Sequence, residues 1–383
     1  MRVLILTSRD ILGNSGEATL MRSKEAALKS MGCAVCYVVF RWRRFRVVSD
    51  NRIIHSLPTW LWVLNPVLCY YIVKRIVISW RPDVLVVSGH WLKFHPWIIA
   101  RLRRVRPLAI SLDLQGALEE WTEYLLAFGS KFISCLVERA IAVHERILVR
   151  QVDVIEVVSF NFKRYIENKY PWFTGKIVVV PCGIEEIYDD FSYRELRRVW
   201  REKLGIGSDE TAAVYSGGLS RWQRIEDVID FAQKRTWLKV YMFINCNART
   251  IRSSLPPNIK VMTLSPEESK AALCAFDYGF LLRFDNTTNH VSFPNKASEY
   301  LNARLRVVMD ARNLGCVLPN LSFAFVGLEG VVPLDQSVEK KAYPIENICY
   351  RETVSRLVAA YRAAIDKKRC DMGDDSTCQS QQV

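Results

Sequence analysis

Three segments carry residue types and spacings suited to holding a phosphorylated ligand. The first is the loop Gly13-Asn14-Ser15-Gly16, between an apolar run of strand length and a helix-period segment. Glycines let backbone amides approach a phosphate, and a helix start adds positive potential; a plain tight turn uses two glycines equally well. The second is YSGGLSRWQR, Tyr215 to Arg224, which sets Gly217 and Gly218 at a strand end. Arg221 and Arg224 follow directly, so an anion can meet amides and guanidinium forks together. The third is LRFDNTTNHVSFPNKASEYL, Leu282 to Leu301, in which a polar loop leads through Pro294 into a helix start carrying Asn295, Lys296 and Glu299. Lys296 and Glu299 stand three apart and share a helical face, presenting a cation beside a carboxylate. Standing alone, such a pair reads as a surface ion pair.

Two histidines lie near these positions. His90 follows the strand-like run DVLVVS, where a cleft-facing role and a structural one weigh equally, and His290 adjoins the third segment.

The elements that must position these residues alternate. RVLILT (2–7), CAVCYVVF (33–40), DVLVVS (83–88), PLAISLD (107–113), DVIEVVS (153–159) and KIVVVP (176–181) read as buried strands. Helical segments are expected at 17–31, 59–80, 92–105, 117–149 and 160–170. After Gly183 the pattern restarts, with strands at 211–217, 238–245, 278–282 and 305–309 and a further short one at KVMTL. Helices are expected at RELRRVWREKLG, 223–235, 266–275, NKASEYLNA and about 350–367. Alternation of this kind predicts parallel sheets wrapped by helices. Ligands in such sheets sit beyond the carboxyl ends of the strands, where all three segments fall.

The chain has 383 residues, half of them hydrophobic, and a length that points to two domains. Its eleven cysteines are scattered, several inside apolar runs; ordinary buried thiols and a reducing cytosol are the expectation. The N-terminal apolar run is too short for a signal peptide. Leu57 to Trp80 is interrupted by Pro58, Pro66, Lys74 and Arg75, which argues against a bilayer span. The formal charge of +13 concentrates early, in RWRRFR (Arg41 to Arg46) and RLRRVR (Arg101 to Arg106). With Trp42 and Phe45 interleaved, an anionic membrane surface suits this pattern better than nucleic acid, for which no binding module is present.

The order of these segments resembles a known family. It runs from PDVLVVSGHW through VVSFNFKRYIENKY and KIVVVPCGIEE to YSGGLSRWQRIEDVIDF and SFPNKASEYL. That series is similar to the family-4 retaining glycosyltransferases, over roughly residues 1 to 365. The resemblance implies the GT-B fold, two Rossmann-like doubly wound domains facing a central cleft. It implies an acceptor-side domain over 1–183, rejoined by the helix at 350–367, and a nucleotide-sugar-binding domain over 184–349. Residues 368–383 are expected to be a disordered tail.

By position, the resemblance makes Glu299 the second glutamate of the family's E-x7-E motif, which binds the nucleotide ribose; Val291 stands where the first would be. Arg221 and Lys296 match the diphosphate-binding cations, with Arg283 as a further one, and Asp113 lies where many members carry a histidine near the donor sugar. The family's usual lysine after the glycine pair is replaced by the Gln223–Arg224 neighbourhood. The implied catalytic set is Asp113, Arg221 and Lys296. The donor set is Gly13, Gly16, Gly217, Gly218, Arg221, Arg283, Asn295, Lys296 and Glu299, with His90 and His290 candidates for the cleft. No Asp-x-Asp triplet occurs in the chain, so no metal and no cofactor are expected, the nucleotide sugar being a substrate. The implied partners are that donor, a glycan or lipid-linked acceptor and an anionic membrane, with the protein peripheral on the cytoplasmic face.

Two other classes share these features. A sugar-nucleotide epimerase on the same fold would use the same donor site, and a non-catalytic binding homologue is compatible with Val291. An NAD-dependent enzyme is disfavoured, since neither glycine loop has the dinucleotide spacing.

Overall fold

The structure, a computed structural model, describes residues 1–9, 11, 16–41, 53–89, 92, 95–119, 131–219, 223–244, 255–310, 319–336 and 339–370. The chain divides into two compact units, one comprising 1–181 and 350–383, the other 182–349.

In the first unit, seven strands form one sheet: β1 (Arg2–Thr7), β2 (Ala34–Arg41), β3 (Ile53–Pro58), β4 (Val84–Ser88), β5 (Ala109–Leu114), β6 (Val154–Val157) and β7 (Lys176–Val179). Their order is β3-β2-β1-β4-β5-β6-β7, and every pairing is parallel. β4, β5 and β6 are buried along their whole length, as the continuous apolar runs of a sheet covered on both faces require. Between the strands run α1 (Gly16–Ser30), α2 (Thr59–Leu64), α3 (Pro66–Trp80), α4 (Pro96–Val105), α5 (Lys131–Val149) and α6 (Phe160–Lys169).

Within 182–349, β8 (Ala212–Gly217), β9 (Lys239–Ile244), β10 (Ile259–Met262), β11 (Tyr278–Phe280), β12 (Arg306–Val308) and β13 (Phe325–Val326) form a second sheet, ordered β10-β9-β8-β11-β12-β13 and again parallel. Its helices are α7 (Asp190–Leu204), α8 (Ile225–Gln233), α9 (Pro266–Ala272), α10 (Thr287–Val291) and α11 (Asn295–Asn302). Local chemistry sets their ends. The Asp189 carboxylate accepts from Ser192 N at 2.6 Å to start α7, and Gly205, at φ 68°, closes it in the left-handed conformation. Ser265 and Glu268 form a reciprocal capping box on α9.

Several boundaries depart from the sequence expectation. β3 was not foreseen: IIHSLP lacks a clean apolar alternation, and it pairs with β2 alone at the sheet edge. The helix expected over 59–80 breaks at Asn65, whose side chain accepts from Leu68 N at 3.1 Å while Pro66 opens α3. Of 92–105, the described α-helix is Pro96–Val105. Of 117–149, the described helix is Lys131–Val149. A short helix, α10, interrupts the polar loop expected at 283–293. The last helix, α12 (Tyr350–Cys370), runs past 367 into the stretch expected to be disordered. Lys368 there meets the Asp153 carboxylate at 3.1 Å, and the basic last turn suits a helix carboxyl end. The rest of that tail, 371–383, lies outside the described residues. Among the described residues, no helix is long and apolar enough to cross a membrane.

The first unit buries charge as well as apolar surface. Lys24 on α1 bonds the Glu156 carboxylate on β6. Glu156 Oε1 also accepts from Ser111 Oγ at 2.6 Å and from the Tyr361 hydroxyl of α12 at 2.5 Å. A charged pair at this depth depends on hydrogen bonds to its polar atoms, as both Glu156 oxygens have here.

Candidate functional site

The strand order of the second sheet reverses between β8 and β11, and parallel sheets take ligands beyond the carboxyl ends of the strands at such a point. Gly217 ends β8 there, and Arg283 follows β11 by three residues. α11 starts at the same place, with Pro294 before it and no side chain capping its first turn. The positive end of a helix favours an anion.

Lys296, in that first turn, lies directly against the end of β8. Its Nζ stands 5.3 Å from the centroid of the Tyr215 ring and 3.5 Å from Gln223 Oε1. A Cβ on residue 217 would fall 1.8 Å from the same Nζ, so glycine at 217 is what gives the ammonium its place. Gln223 is buried; its Oε1 is also in hydrogen-bond reach of the Tyr215 hydroxyl, which lies 2.5 Å from the Gly218 carbonyl. One hydroxyl proton serves one of these acceptors at a time. Behind them, the fully buried Tyr300 accepts from Ser216 N at 3.0 Å, its ring packed where a Cβ on Gly279 would come within 2.5 Å.

The electrostatics follow from crowding positive charge out of water. Desolvation pushes Lys296 down to about 7, the neighbouring Arg283 guanidinium adds to the fall, and Glu299 opposes it. Desolvation lowers Arg283 to about 10, which leaves it charged at neutral pH. One turn along α11, desolvation raises the Glu299 carboxyl, with Lys270 and Lys296 opposing. Among the described residues, no hydrogen bond or ion pair ties down the Glu299 carboxylate. Two desolvated cations with a carboxylate at their side suit a ligand bearing both phosphate and hydroxyl groups.

Gly217, Gly218, Arg283, Asn295, Lys296 and Glu299 thus gather in the second unit. Gly13, Arg221 and His90 lie outside the described residues. Gly16 opens α1 in the first unit. His290 sits on α10 with its Nε2 2.6 Å from the Asp285 carboxylate, and Val291, in the same helix, is buried as an apolar anchor. Arg224 is engaged structurally. It holds a left-handed conformation at φ 51° and bonds Asp227 at 2.5 Å, Asp310 at 2.8 Å and the Arg283 carbonyl at 3.1 Å.

Asp113 belongs to the first unit, where it faces the carboxyl end of β4. It accepts from Ser88 Oγ at 2.8 Å and Gln115 Nε2 at 3.0 Å, with Lys24 Nζ 4.0 Å away. Burial works to raise its carboxyl, but the charges of Lys24 and Arg9 and these hydrogen bonds outweigh it and hold it below the usual range. Lys24 is correspondingly raised, the pull of Asp113 and Glu156 overcoming its desolvation. Sequence reasoning missed Lys24, Glu156 and Tyr300, and it named Tyr215 and Gln223 without the contact they make with Lys296. Glu156 left a trace, a lone carboxylate inside the apolar strand VIEV. Among the described residues, no group of three or more His, Cys, Asp or Glu side chains is placed to hold a metal ion.

Two parallel, doubly wound sheets of this order define the GT-B glycosyltransferase fold. No family model matches the chain, and no curated protein matches it by sequence. Among solved structures, it is similar to the lipopolysaccharide outer core galactosyltransferase WaaB in its apo form, at TM-score 0.64 and 11% identity over 95% of this chain and 99% of that one. It is also similar to the sucrose-phosphate synthase of Thermosynechococcus elongatus, at TM-score 0.56 and 14% identity over 98% of both chains. A third is WaaG, a glycosyltransferase involved in lipopolysaccharide biosynthesis, at TM-score 0.54 and 12% identity over 97% of this chain and 94% of that one. At such identities the shared property is the fold.

Proposed function

We propose that this chain is a glycosyltransferase that moves a sugar from a nucleotide-sugar donor to a glycan or lipid-linked acceptor. The observation that carries the reading is the arrangement at the start of α11. There Lys296 and Arg283 bring positive charge to the glycine-lined end of β8, and the carboxylate of Glu299 stands untied one turn away. That the structures similar to this chain include a galactosyltransferase adds support.

Breaking a sugar–phosphate bond develops negative charge on the departing nucleoside diphosphate, and positioned cations stabilise it as it forms. Lys296 and Arg283 take that part, with Arg221 as a third cation, so the reading needs no bound metal. Lys296, poised near 7, gains its proton as the diphosphate arrives and keeps it as charge builds. Gly217 and Gly218 admit the phosphates to the backbone, and Asn295 presents a helix-start amide. Glu299 accepts hydrogen bonds from the ribose hydroxyls. We assign the acceptor side to the first unit, with the ionised Asp113 as its catalytic carboxylate and His90, two residues after β4 in the sequence, as a further candidate. Retention of anomeric configuration, hexosyl transfer, a place in cell-surface polysaccharide biosynthesis and a peripheral position on the cytoplasmic face of a membrane belong to the same proposal.

The test is a screen of nucleotide sugars for release of nucleoside diphosphate, with and without a lipid-linked acceptor extract. Release that depends on acceptor supports transfer, and product analysis gives the stereochemistry. Interconversion of the sugar without acceptor would make the chain an epimerase, and failure to bind any nucleoside diphosphate would sink the donor site.

A further inference from the structure

Helix α3 is apolar on two opposite sides. Cys69, Tyr70, Val73, Ile76 and Val77 make its buried face. Leu64 at the end of α2, then Val67, Leu68, Tyr71 and Ile78, make an outward face that continues from Trp60. Leu64 is 77% exposed, and Trp60, Val67, Tyr71 and Ile78 are each at least half exposed. A helix apolar all round is normally buried all round, and a contiguous apolar stripe left in water marks an interaction surface.

The charge around this stripe selects the partner. From Asn51 to Leu112 the chain carries nine lysines and arginines against one acidic residue, Asp83; of the nine, Arg103 pairs with Asp153 and Arg106 with Asp83. Arg75 stands on the exposed face itself, one turn beyond Tyr71. Lys74 lies 5.9 Å from the Tyr70 ring centroid, and Arg101 of α4 approaches the same ring at 6.0 Å and Trp97 at 5.3 Å. Aliphatic side chains with Trp and Tyr at one level and cations beside them match the layering of a lipid leaflet. The near absence of carboxylates favours anionic headgroups.

We propose that the α2–α3 face, centred on Leu64, Leu68 and Tyr71, docks the protein onto an anionic lipid surface. Leu64 and its neighbours enter the leaflet beneath the headgroups, while Lys74, Arg75 and Arg101 pair with lipid phosphates. This deepens the peripheral-membrane part of the function proposed above by naming its surface, and it does not depend on the donor site.

The experiment sediments the purified full chain with vesicles containing phosphatidylglycerol, and with vesicles of phosphatidylcholine alone. The parent protein pellets with the anionic vesicles, and high salt weakens the association. Leu64→Glu with Leu68→Glu lowers partitioning by about tenfold or more, and Lys74→Glu with Arg75→Glu lowers it on the anionic vesicles. Thermal melting confirms that each variant is folded. Titration with a nucleoside diphosphate stays as in the parent, so failure of the surface and failure of the donor site are read separately. Equal partitioning onto both vesicle types, or none, overturns the proposal. So does a concentration-dependent dimer that the leucine variants dissociate while the parent ignores lipid, since the face is then a contact between copies of the chain.

Discussion

The ammonium of Lys296 occupies the space that a side chain on residue 217 would need, 1.8 Å from the Cβ position of Gly217. Gly217→Ala therefore drives Lys296 away from the end of β8. The displaced atoms are the flexible end of a lysine and the Oε1 of the buried Gln223, 2.7 Å from that Cβ, so stability falls by about 1–3 kcal/mol. Loss of a charge-assisted contact lowers nucleoside diphosphate affinity roughly tenfold or more. Calorimetric titration beside a melting curve checks both; unchanged affinity would show that Lys296 does not meet the ligand.

Glu299→Ala separates binding from stability in the other direction. The carboxylate is raised by burial and no described residue bonds it, so its removal leaves the folded chain as stable at neutral pH as before, or slightly more so. Binding of the nucleoside diphosphate weakens by on the order of tenfold to a hundredfold, the worth of one or two hydrogen bonds to a charged acceptor. A deoxyribose analogue should lose little further in the variant, which isolates the ribose contact.

Affinity for the diphosphate depends on pH through Lys296. Its free pKa is about 7, and an anion beside it raises that value. Binding above pH 7 thus takes up a proton, and affinity falls as pH rises, approaching about tenfold per pH unit. Titrations in buffers of different ionisation heat should give different apparent enthalpies at pH 8, and Lys296→Met should abolish the difference. The unfolded chain holds this proton up to the ordinary value of 10.5. The cost of burying the charge is therefore present in full below pH 7 and relieved between pH 7 and 10.5.

The buried Lys24–Glu156 pair predicts a stability effect in the first unit. Glu156→Ala leaves Lys24 without its closest counter-charge and strips an acceptor from Ser111 and Tyr361. A loss of about 3–5 kcal/mol is expected. Glu156→Gln keeps an oxygen for the hydroxyls and should cost less. Urea unfolding followed by circular dichroism tests the ranking, and a neutral Glu156→Ala would mean that Asp113 alone compensates Lys24.

Much of the architecture was legible because parallel strands covered on both faces write themselves as continuous apolar runs, as VLVVS and AISLDL do. The edge strand IIHSLP was not, since it has one neighbour, carries His55 and Ser56, and ends in a proline. Lys296 and Glu299 could be picked out because three residues along a helix bring two side chains to one face. Gln223 was read as a missing lysine, yet it lies under the ammonium of Lys296, which comes from a different segment. No local pattern announces such a partnership. The same holds for Lys24 and Glu156, 132 residues apart and joined only by the packing of α1 on the sheet.

The path of α12 has a consequence for how the chain comes to be made. The first unit is interrupted at Pro181 and completed by residues from Tyr350 onward, with Tyr361 reaching Glu156 in its interior. A ribosome delivers the whole of 182–349 before it delivers that helix. The second unit therefore has all its residues while the first still lacks a wall, its buried glutamate missing one of its donors. Synthesis order and structural order run opposite here, and the earliest residues of the chain are the last to be sealed.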